Sequence, residues 1–271
     1  MPELPEVETT RRGIEPHALG RRIVALEVYE YRLRWPVPRS LAARVAGQRV
    51  TATERRAKYL LIRLTSGTLL VHLGMSGSLR VLSADTPLTA HDRFDVRLDS
   101  GQILRFNDPR RFGSLHFTTE DPARHRLLAH LAPEPFDPAF HAGYLWKVTR
   151  TRRLTIKQLL MNSRLVAGVG NIYASEALFR ARIRPTRQAR SLSRTEAARL
   201  VRAVRVVLAQ AIRVGGTTLR DFVGADGSPG YFRQKLYVYE RAGKPCRACR
   251  TLIRQIAQQG RSTYYCPNCQ R

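Results

Sequence analysis

The rhythm of apolar and polar residues changes along this chain. The stretches RIVALEVY (22–29), QRVTATERR (48–56), KYLLIRLTSGTLLVHLG (58–74), SGSLRVL (76–82), DRFDVRLDSGQILRFND (92–108) and GSLHF (113–117) are short apolar-alternating runs broken by Gly, Ser and Asp. Alternation over a few residues between turn formers predicts the strands of a β-sandwich or barrel. Ahead of them, LPEVETTRRGIEPHAL reads as one helix, with Pro5 in its first turn and Glu6 and Glu8 near its positive end. From Leu154 the period lengthens. LTIKQLLMNSRLV carries apolar residues at 154, 156, 159, 160 and 165, and SLSRTEAARLVRAVRVVLAQAI carries them at 197, 200, 201, 204, 207, 208, 211 and 212, a helical spacing. Ser193 and Glu196 form a capping-box pattern at the start of the second helix.

The expected fold class is therefore mixed α+β in two domains. The stretch APEPFDP (132–138) is the linker candidate, which sets expected bounds of 1–132 for the β-sandwich, 133–148 for the linker, 149–240 for a helical domain and 241–271 for a terminal module. No internal repeat breaks this order, and no stretch approaches the roughly 18 uninterrupted apolar residues of a membrane span. The first twenty residues have neither a basic start nor an apolar run, so no secretory signal is expected and a cytoplasmic location is.

The four cysteines change the picture of the terminal module. They read Cys246-Arg-Ala-Cys249, sixteen residues, then Cys266-Pro-Asn-Cys269. Each pair can put both thiolates of a tight turn on one ion, and two such turns complete a tetrahedron. Four ligands close the site, so one structural Zn2+ is expected rather than a catalytic metal. Two disulfides do not suit a cytoplasmic chain, and no βαβ pattern surrounds a redox pair. The residues between the pairs, RTLIRQIAQQGRSTYY, read as two short strands around a Gln-Gln-Gly-Arg turn, with Arg261 at or beside the tip.

Charge then points to a partner. The chain has 47 Lys+Arg against 21 Asp+Glu, a formal net charge of +26. Part of the excess reflects a general preference for Arg, since only five of these residues are Lys. Local clustering says more: residues 179–213 hold ten Arg and one acid, Glu196. Solvated faces normally mix signs, so this run predicts a polyanion, with nucleic acid as the preferred reading. The terminal module points the same way. Six basic residues, four thiolates and one divalent cation leave residues 244–271 at about +4, a surface suited to phosphate. Between the helical runs sits GVGNIYASEALF, where glycines allow a tight turn and Asn171 is placed to cap the next helix. Backbone amides at such a turn can bind phosphate, and an ordinary helix start would look the same.

Several motifs together carry a family resemblance. MPELPEVETTRRG at the start, KYLLI at 58–62, HLGMSG at 72–77, NDPRRFG at 107–113, GVGNIYASEALF at 168–179, GGTTLRDF at 215–222 and GRSTYYC inside the cysteine module together resemble bacterial formamidopyrimidine-DNA glycosylase, in order and over essentially the whole chain. The opening PELPEVET favours this family over its relative endonuclease VIII. The resemblance implies an N-terminal β-sandwich preceded by a helix, a helix-two-turn-helix DNA-binding domain and a zinc β-hairpin finger. It also implies a nucleoid-associated monomer that flips oxidised purines, 8-oxoguanine and formamidopyrimidines, out of double-stranded DNA. Such an enzyme excises them and cuts the abasic site by β,δ-elimination.

Residue by residue, the resemblance implies Pro2 as nucleophile through its own amine once Met1 is removed, and Glu3 as general acid and base on the opening sugar. An α-amine titrates near ~8, so a neutral fraction exists at physiological pH. An iminium on a secondary amine stays cationic without losing a proton, which makes it an electron sink. Glu6 reads either as active-site support or as a plain first-turn acid, and Glu8 as the latter. Lys58, one of the few lysines, would give the proton in β-elimination and contact phosphate, a task Arg cannot share near neutrality. Arg261 would assist δ-elimination. Met75, Arg110 and Phe112 would fill the hole left by the flipped base, two as apolar wedges and one as a hydrogen-bond donor to the orphaned partner base. The glycines and serine around Met75 predict an exposed turn. His91 and Asn171 would hold phosphates, Lys157 and Arg153 would contact the backbone or the lesion, and the loop from Gly216 to Tyr231 would close over the extruded base. Asn162 departs from the family's Asp. Two rival readings share part of this pattern: a non-catalytic zinc-ribbon DNA-binding protein, and an endonuclease VIII-like enzyme acting on oxidised pyrimidines.

Overall fold

The structure, a computed structural model, describes residues 2–216 and 236–271. These residues fall into two compact units, one holding the chain up to Ala129 with residues 212–216, the other holding 130–211 with 236–271.

The first unit opens with helix α1 (Leu4–Ala18), which places Val7, Ile14 and Ala18 on its buried side. Eight strands follow: β1 (Ile23–Val28), β2 (Val50–Arg56), β3 (Tyr59–Leu64), β4 (Gly67–His72), β5 (Ser78–Ser83), β6 (Asp92–Leu98), β7 (Gln102–Asn107) and β8 (Ser114–Thr118), with a short helix α2 (Leu41–Val45) after β1. Each lies inside an alternating run of the sequence. They form two antiparallel four-stranded sheets, ordered β1-β6-β7-β5 and β2-β3-β4-β8. Leu60, Ile62, Leu64, Leu69 and Val71 from one sheet share a single apolar cluster with Leu79, Phe94, Val96, Leu104 and Phe106 from the other, which makes the pair a sandwich. The alternation is imperfect in β3 and β4, because Leu61 and Leu70 point away from that cluster and are buried all the same.

The second unit is helical: α3 (Ala142–Arg150), α4 (Ile156–Met161), α5 (Asn171–Arg180) and α6, which begins at Arg194. The expected linker thus gives way to helix from Ala142 onward, because the His141 ring accepts the Tyr144 N–H and caps α3. Two capping boxes operate as the sequence pattern requires: Ser193 with Glu196 at the start of α6, and Thr155 with Gln158 at α4. The α6 positions expected to be apolar and inward are buried from Ala197 to Ala211, and Ile212 is half-buried. The unit ends in the hairpin β9 (Arg254–Gln258) and β10 (Arg261–Tyr265), whose turn residues Gln259 and Gly260 both have positive φ, 49° and 70°. Left-handed backbone at both central residues matches the right-handed twist of a two-residue hairpin.

Candidate functional site

At the start of the chain, Pro2 and Glu3 are buried, and Glu3 precedes α1 as its N-cap. The Glu3 N–H donates to the Glu6 carboxylate at 2.9 Å. Glu6 therefore does more than favour the helix dipole: it pins the backbone that carries Pro2 and Glu3. Gly216 lies against it, and a Cβ there would come within 3.0 Å of Glu6 Oε1. Glu8 belongs to a different system, paired with Arg11, Arg12 and Arg55. Burial pushes its carboxyl up, and hydrogen bonds from Arg11 and Arg12 outweigh that, leaving it below the ordinary range.

Lys58 occupies the two-residue turn between β2 and β3, where Arg56 faces Tyr59. Its neighbour Ala57 has φ 53°, a left-handed conformation that a non-glycine residue holds only when the flanking ladder imposes it. The rings of Tyr59 and His72, opposite each other in the β3–β4 register, lie 4.8 Å apart and are tilted by 55°. His72 is a residue that sequence reasoning missed. Burial, and then the charges of Lys58 and Arg34, push its pKa down to about 4, so the ring is neutral at physiological pH and its Nδ1 accepts the Gly74 N–H at 3.0 Å. No spacing rule singles out such a histidine, because its role depends on a neighbour across the sheet.

That bond holds the turn bearing Met75. Met75 is 40% exposed and Phe112 41%, so both side chains reach solvent. Arg110 is exposed too, with its guanidinium 4.9 Å from the Phe112 ring centroid. His91 is exposed, and its carbonyl accepts the Asp108 N–H.

In the second unit the expected residues separate. Arg153 and Arg261 are exposed, Arg261 as the first residue of β10. Lys157 is only 2% exposed, and its ammonium donates to Thr263 Oγ1 at 2.7 Å and to the Ser262 carbonyl at 3.2 Å. The hairpin offers two oxygens within reach of α4, and the lysine expected to contact the backbone or the lesion is turned to them. Asn171 is the first residue of α5 rather than its cap. Gly170 takes the extended cap position, while Asn171 Nδ2 donates to the same Ser262 carbonyl at 3.0 Å. A cavity of about 250 Å³ lies between α4 and the hairpin tip, lined by Lys157, Met161, Asn162, Gln258 and Arg261 among others. Asn162 ends α4, and its side chain accepts the Arg164 N–H, so the departure from Asp keeps a local acceptor.

Glu176 is a second residue the sequence did not single out. Its buried carboxylate accepts three successive backbone N–H groups, from Tyr237, Val238 and Tyr239, at 2.8, 2.9 and 2.9 Å. Burial raises its pKa while these bonds act against that rise. The anchored segment leads straight into the cysteine module. There the four Sγ atoms of Cys246, Cys249, Cys266 and Cys269 lie within 4.8 Å of one another, and none is in a disulfide. Hydrogen bonds from Thr251 and Asn268 lower the Cys249 thiol to about 5, whereas burial and the neighbouring sulfurs push Cys269 up. Four thiols around one point cannot all ionise unless a cation joins them, and a single tetrahedral Zn2+ fits.

The arginine-rich run is less free than its composition suggests. Arg187 pairs with Glu196, Arg199 donates to the Ala181 carbonyl, and Arg205 donates to the Pro135 and Phe140 carbonyls. Loop carbonyls need donors, and the guanidinium fork supplies several at once.

Family models cover nearly the whole chain: the formamidopyrimidine-DNA glycosylase N-terminal domain matches residues 1–115, the H2TH domain of the same enzymes 131–223, and the zinc finger found in FPG and IleRS 243–271. The formamidopyrimidine-DNA glycosylase of Thioalkalivibrio sulfidiphilus is 60% identical over the full length of both chains, and that of Stutzerimonas stutzeri 54%. Among solved structures, the MutM (Fpg) protein of Thermus thermophilus is 41% identical, with a TM-score of 0.88 over 99% of this chain and 98% of that one. A Lactococcus lactis Fpg variant in complex with Fapy-dG containing DNA is 32% identical, with a TM-score of 0.93 over both chains entire. The helical unit is thus an H2TH domain and the cysteine module a zinc finger, and the chain belongs to the formamidopyrimidine-DNA glycosylase family of base-excision-repair enzymes, which are DNA glycosylases and AP lyases.

Proposed function

We propose that this protein removes oxidised purines, 8-oxoguanine and formamidopyrimidines, from duplex DNA through the amine of Pro2, and then cuts the abasic site by β,δ-elimination. The observation that carries the reading is the buried start of the chain, where Glu6 holds the Glu3 backbone at 2.9 Å and so presents Pro2 and Glu3 together. With Met1 removed, the Pro2 nitrogen attacks C1′ and displaces the base; the C1′–O4′ bond then breaks as the iminium forms, and Glu3 moves protons on the opening sugar. Lys58 gives a proton during β-elimination, and Arg261 positions phosphate for the second cut. Met75, Phe112 and Arg110 fill the space left by the flipped nucleotide. His91, Arg153 and Asn171 contact the DNA backbone; one N–H of the Asn171 amide is committed to Ser262 and the other serves phosphate. Lys157, oriented by Ser262 and Thr263 of the finger, contacts the backbone or the lesion. The zinc is structural: it fixes the hairpin and takes no part in bond breaking. The closure assigned to the loop from 216 to 231 concerns residues that, beyond Gly216, lie outside those described. The protein acts as a monomer in the cytoplasm, on the nucleoid. Among the described residues no helix is long and apolar enough to cross a membrane.

Borohydride trapping on a lesion duplex tests the nucleophile. The expected adduct maps to the N-terminal peptide; an adduct on Lys58, or normal turnover by protein retaining Met1, overturns the assignment. A panel of duplexes with oxidised purines and oxidised pyrimidines separates this reading from the endonuclease VIII-like one, and binding without strand scission would favour a non-catalytic role.

A further inference from the structure

The exposed side chains of Met75 and Phe112 sit on different loops, one between β4 and β5, the other between β7 and β8. The second loop begins with Asp108, whose side chain is entirely buried. One oxygen, Oδ1, accepts the Ser76 hydroxyl at 3.3 Å and the Arg110 N–H at 3.2 Å; the other, Oδ2, accepts the Gly113 N–H at 2.7 Å. The carboxylate thus binds the residue after Met75, the backbone of Arg110 and the residue after Phe112. Its own backbone is fixed as well, with its N–H on the His91 carbonyl and its carbonyl accepting Arg93 Nε at 2.8 Å. The loops also touch directly. A Cβ on Gly74 would lie 2.5 Å from the Gly113 nitrogen and 2.6 Å from the Phe112 carbonyl carbon, so Gly74, with φ 69°, is required for the approach. Below them, Ser78 pairs with Asn107 in the β5–β7 ladder and closes the frame.

We infer that Asp108 is a positioning residue that joins the Met75 turn and the Arg110–Phe112 loop into one wedge, so that the two apolar side chains enter the duplex as a unit. The inference rests on the hole-filling role proposed above for these residues. A charged acceptor of three donors holds geometry better than neutral bonds to separate partners, and a wedge that must unstack bases needs its parts fixed before contact. The Asp108→Asn variant keeps the volume but replaces one acceptor oxygen with an NH2 group, which faces either Gly113 N–H or the Ser76 and Arg110 donors. One loop is then released. Ser76→Ala removes only the link between the loops.

The experiment compares kcat/KM for base excision from a lesion duplex with cleavage at a preformed abasic site, where little unstacking is required. Melting temperature and zinc content are measured alongside. Asp108→Asn is expected to lower duplex excision about 10- to 100-fold and Ser76→Ala about 3- to 10-fold, the size of losing one charge-assisted or one neutral hydrogen bond, with abasic cleavage changed by less than about 2-fold. Adding Met75→Ala to Asp108→Asn should then cost far less than Met75→Ala alone, because residues acting as one unit are not additive. Equal losses on both substrates, or full activity of both variants on the lesion duplex, would overturn the inference. Should Asp108→Asn fail to fold, Ser76→Ala decides by the same two ratios. If Met75→Ala and Phe112→Ala themselves leave duplex excision intact, the hole-filling reading fails instead, which keeps the two failures apart.

Discussion

Met75 stands in the loop that crosses from one sheet of the sandwich to the other, and Arg261 stands beside the tip of the β9–β10 hairpin; what holds each differs. Behind Met75 is a sandwich whose two sheets share one apolar cluster, and the turn is tied down by a neutral histidine and a buried carboxylate. Behind Arg261 are two strands of five residues in which only Thr263 and Tyr265 are buried, with little more than Phe179, Val238, Ile253 and the cysteines beneath them. A lone hairpin is marginal in water, so the finger must be stabilised by other means. The means are the zinc and three polar clamps: Lys157 and Asn171 on β10, and Glu176 on the segment before Cys246. Where the core is large, polar groups only aim side chains. Where it is small, they and the metal carry the fold.

Metal removal should separate the two regions most sharply. Zinc is expected at one per chain, and structural sites of this type hold it with roughly 10–16 kcal/mol of apparent binding free energy. Stripping it, or Cys266→Ser, should abolish the second cut of the abasic strand assigned to Arg261. The sandwich should keep its cooperative unfolding transition, as followed by far-UV circular dichroism and elemental analysis. A sandwich that melts with the metal would break the comparison.

The converse change comes next. Phe106 stacks on Phe94 at 4.8 Å inside the sandwich core. Phe106→Ala should cost about 3–5 kcal/mol by the usual transfer and cavity terms, measured by urea denaturation, with zinc stoichiometry unchanged.

A smaller effect tests the clamps. Glu176→Gln retains one acceptor oxygen and loses the other, so at least one of three buried N–H groups is left unpaired, a cost of about 1–3 kcal/mol. Zinc release to a chromogenic chelator should accelerate, and the sandwich transition should stay where it was. Unchanged release would place the finger's stability in the metal alone.

The smallest effect belongs to acid. His72 and His116 both sit at about 4, lowered first by burial and then by neighbouring cations, Lys58 and Arg34 for the one, His125 and Arg126 for the other. The unfolded chain takes up these protons first, near pH ~6.5. Their contribution is therefore complete above that value and is lost as the pH falls toward 4. A urea titration of the sandwich across this window should show the slope, and His116→Gln should flatten it.

Much of this architecture is legible in the amino-acid sequence. Local patterns mark each strand of the sandwich, because alternation and turn residues act over a few neighbours. The same holds for the capping box of Ser193 and Glu196, for the Gln259–Gly260 turn and for the cysteine pairs, whose ligand geometry depends on spacing alone. Motif order along the chain is enough to name the family. Tertiary structure decided which polar groups face inward. Nothing local to Lys157 announces that the hairpin brings Ser262 and Thr263, more than a hundred residues away, within its reach. Asp108 and Glu176 look like surface acids in sequence, and each becomes a buried acceptor only because donors from distant segments converge on it. Part of the arginine excess follows the same rule, since Arg187, Arg199 and Arg205 are bonded to groups of the fold. Periodicity and spacing depend on the covalent chain, so sequence carries them. A buried hydrogen bond between remote residues is decided by where each donor finds its oxygen once water has been excluded.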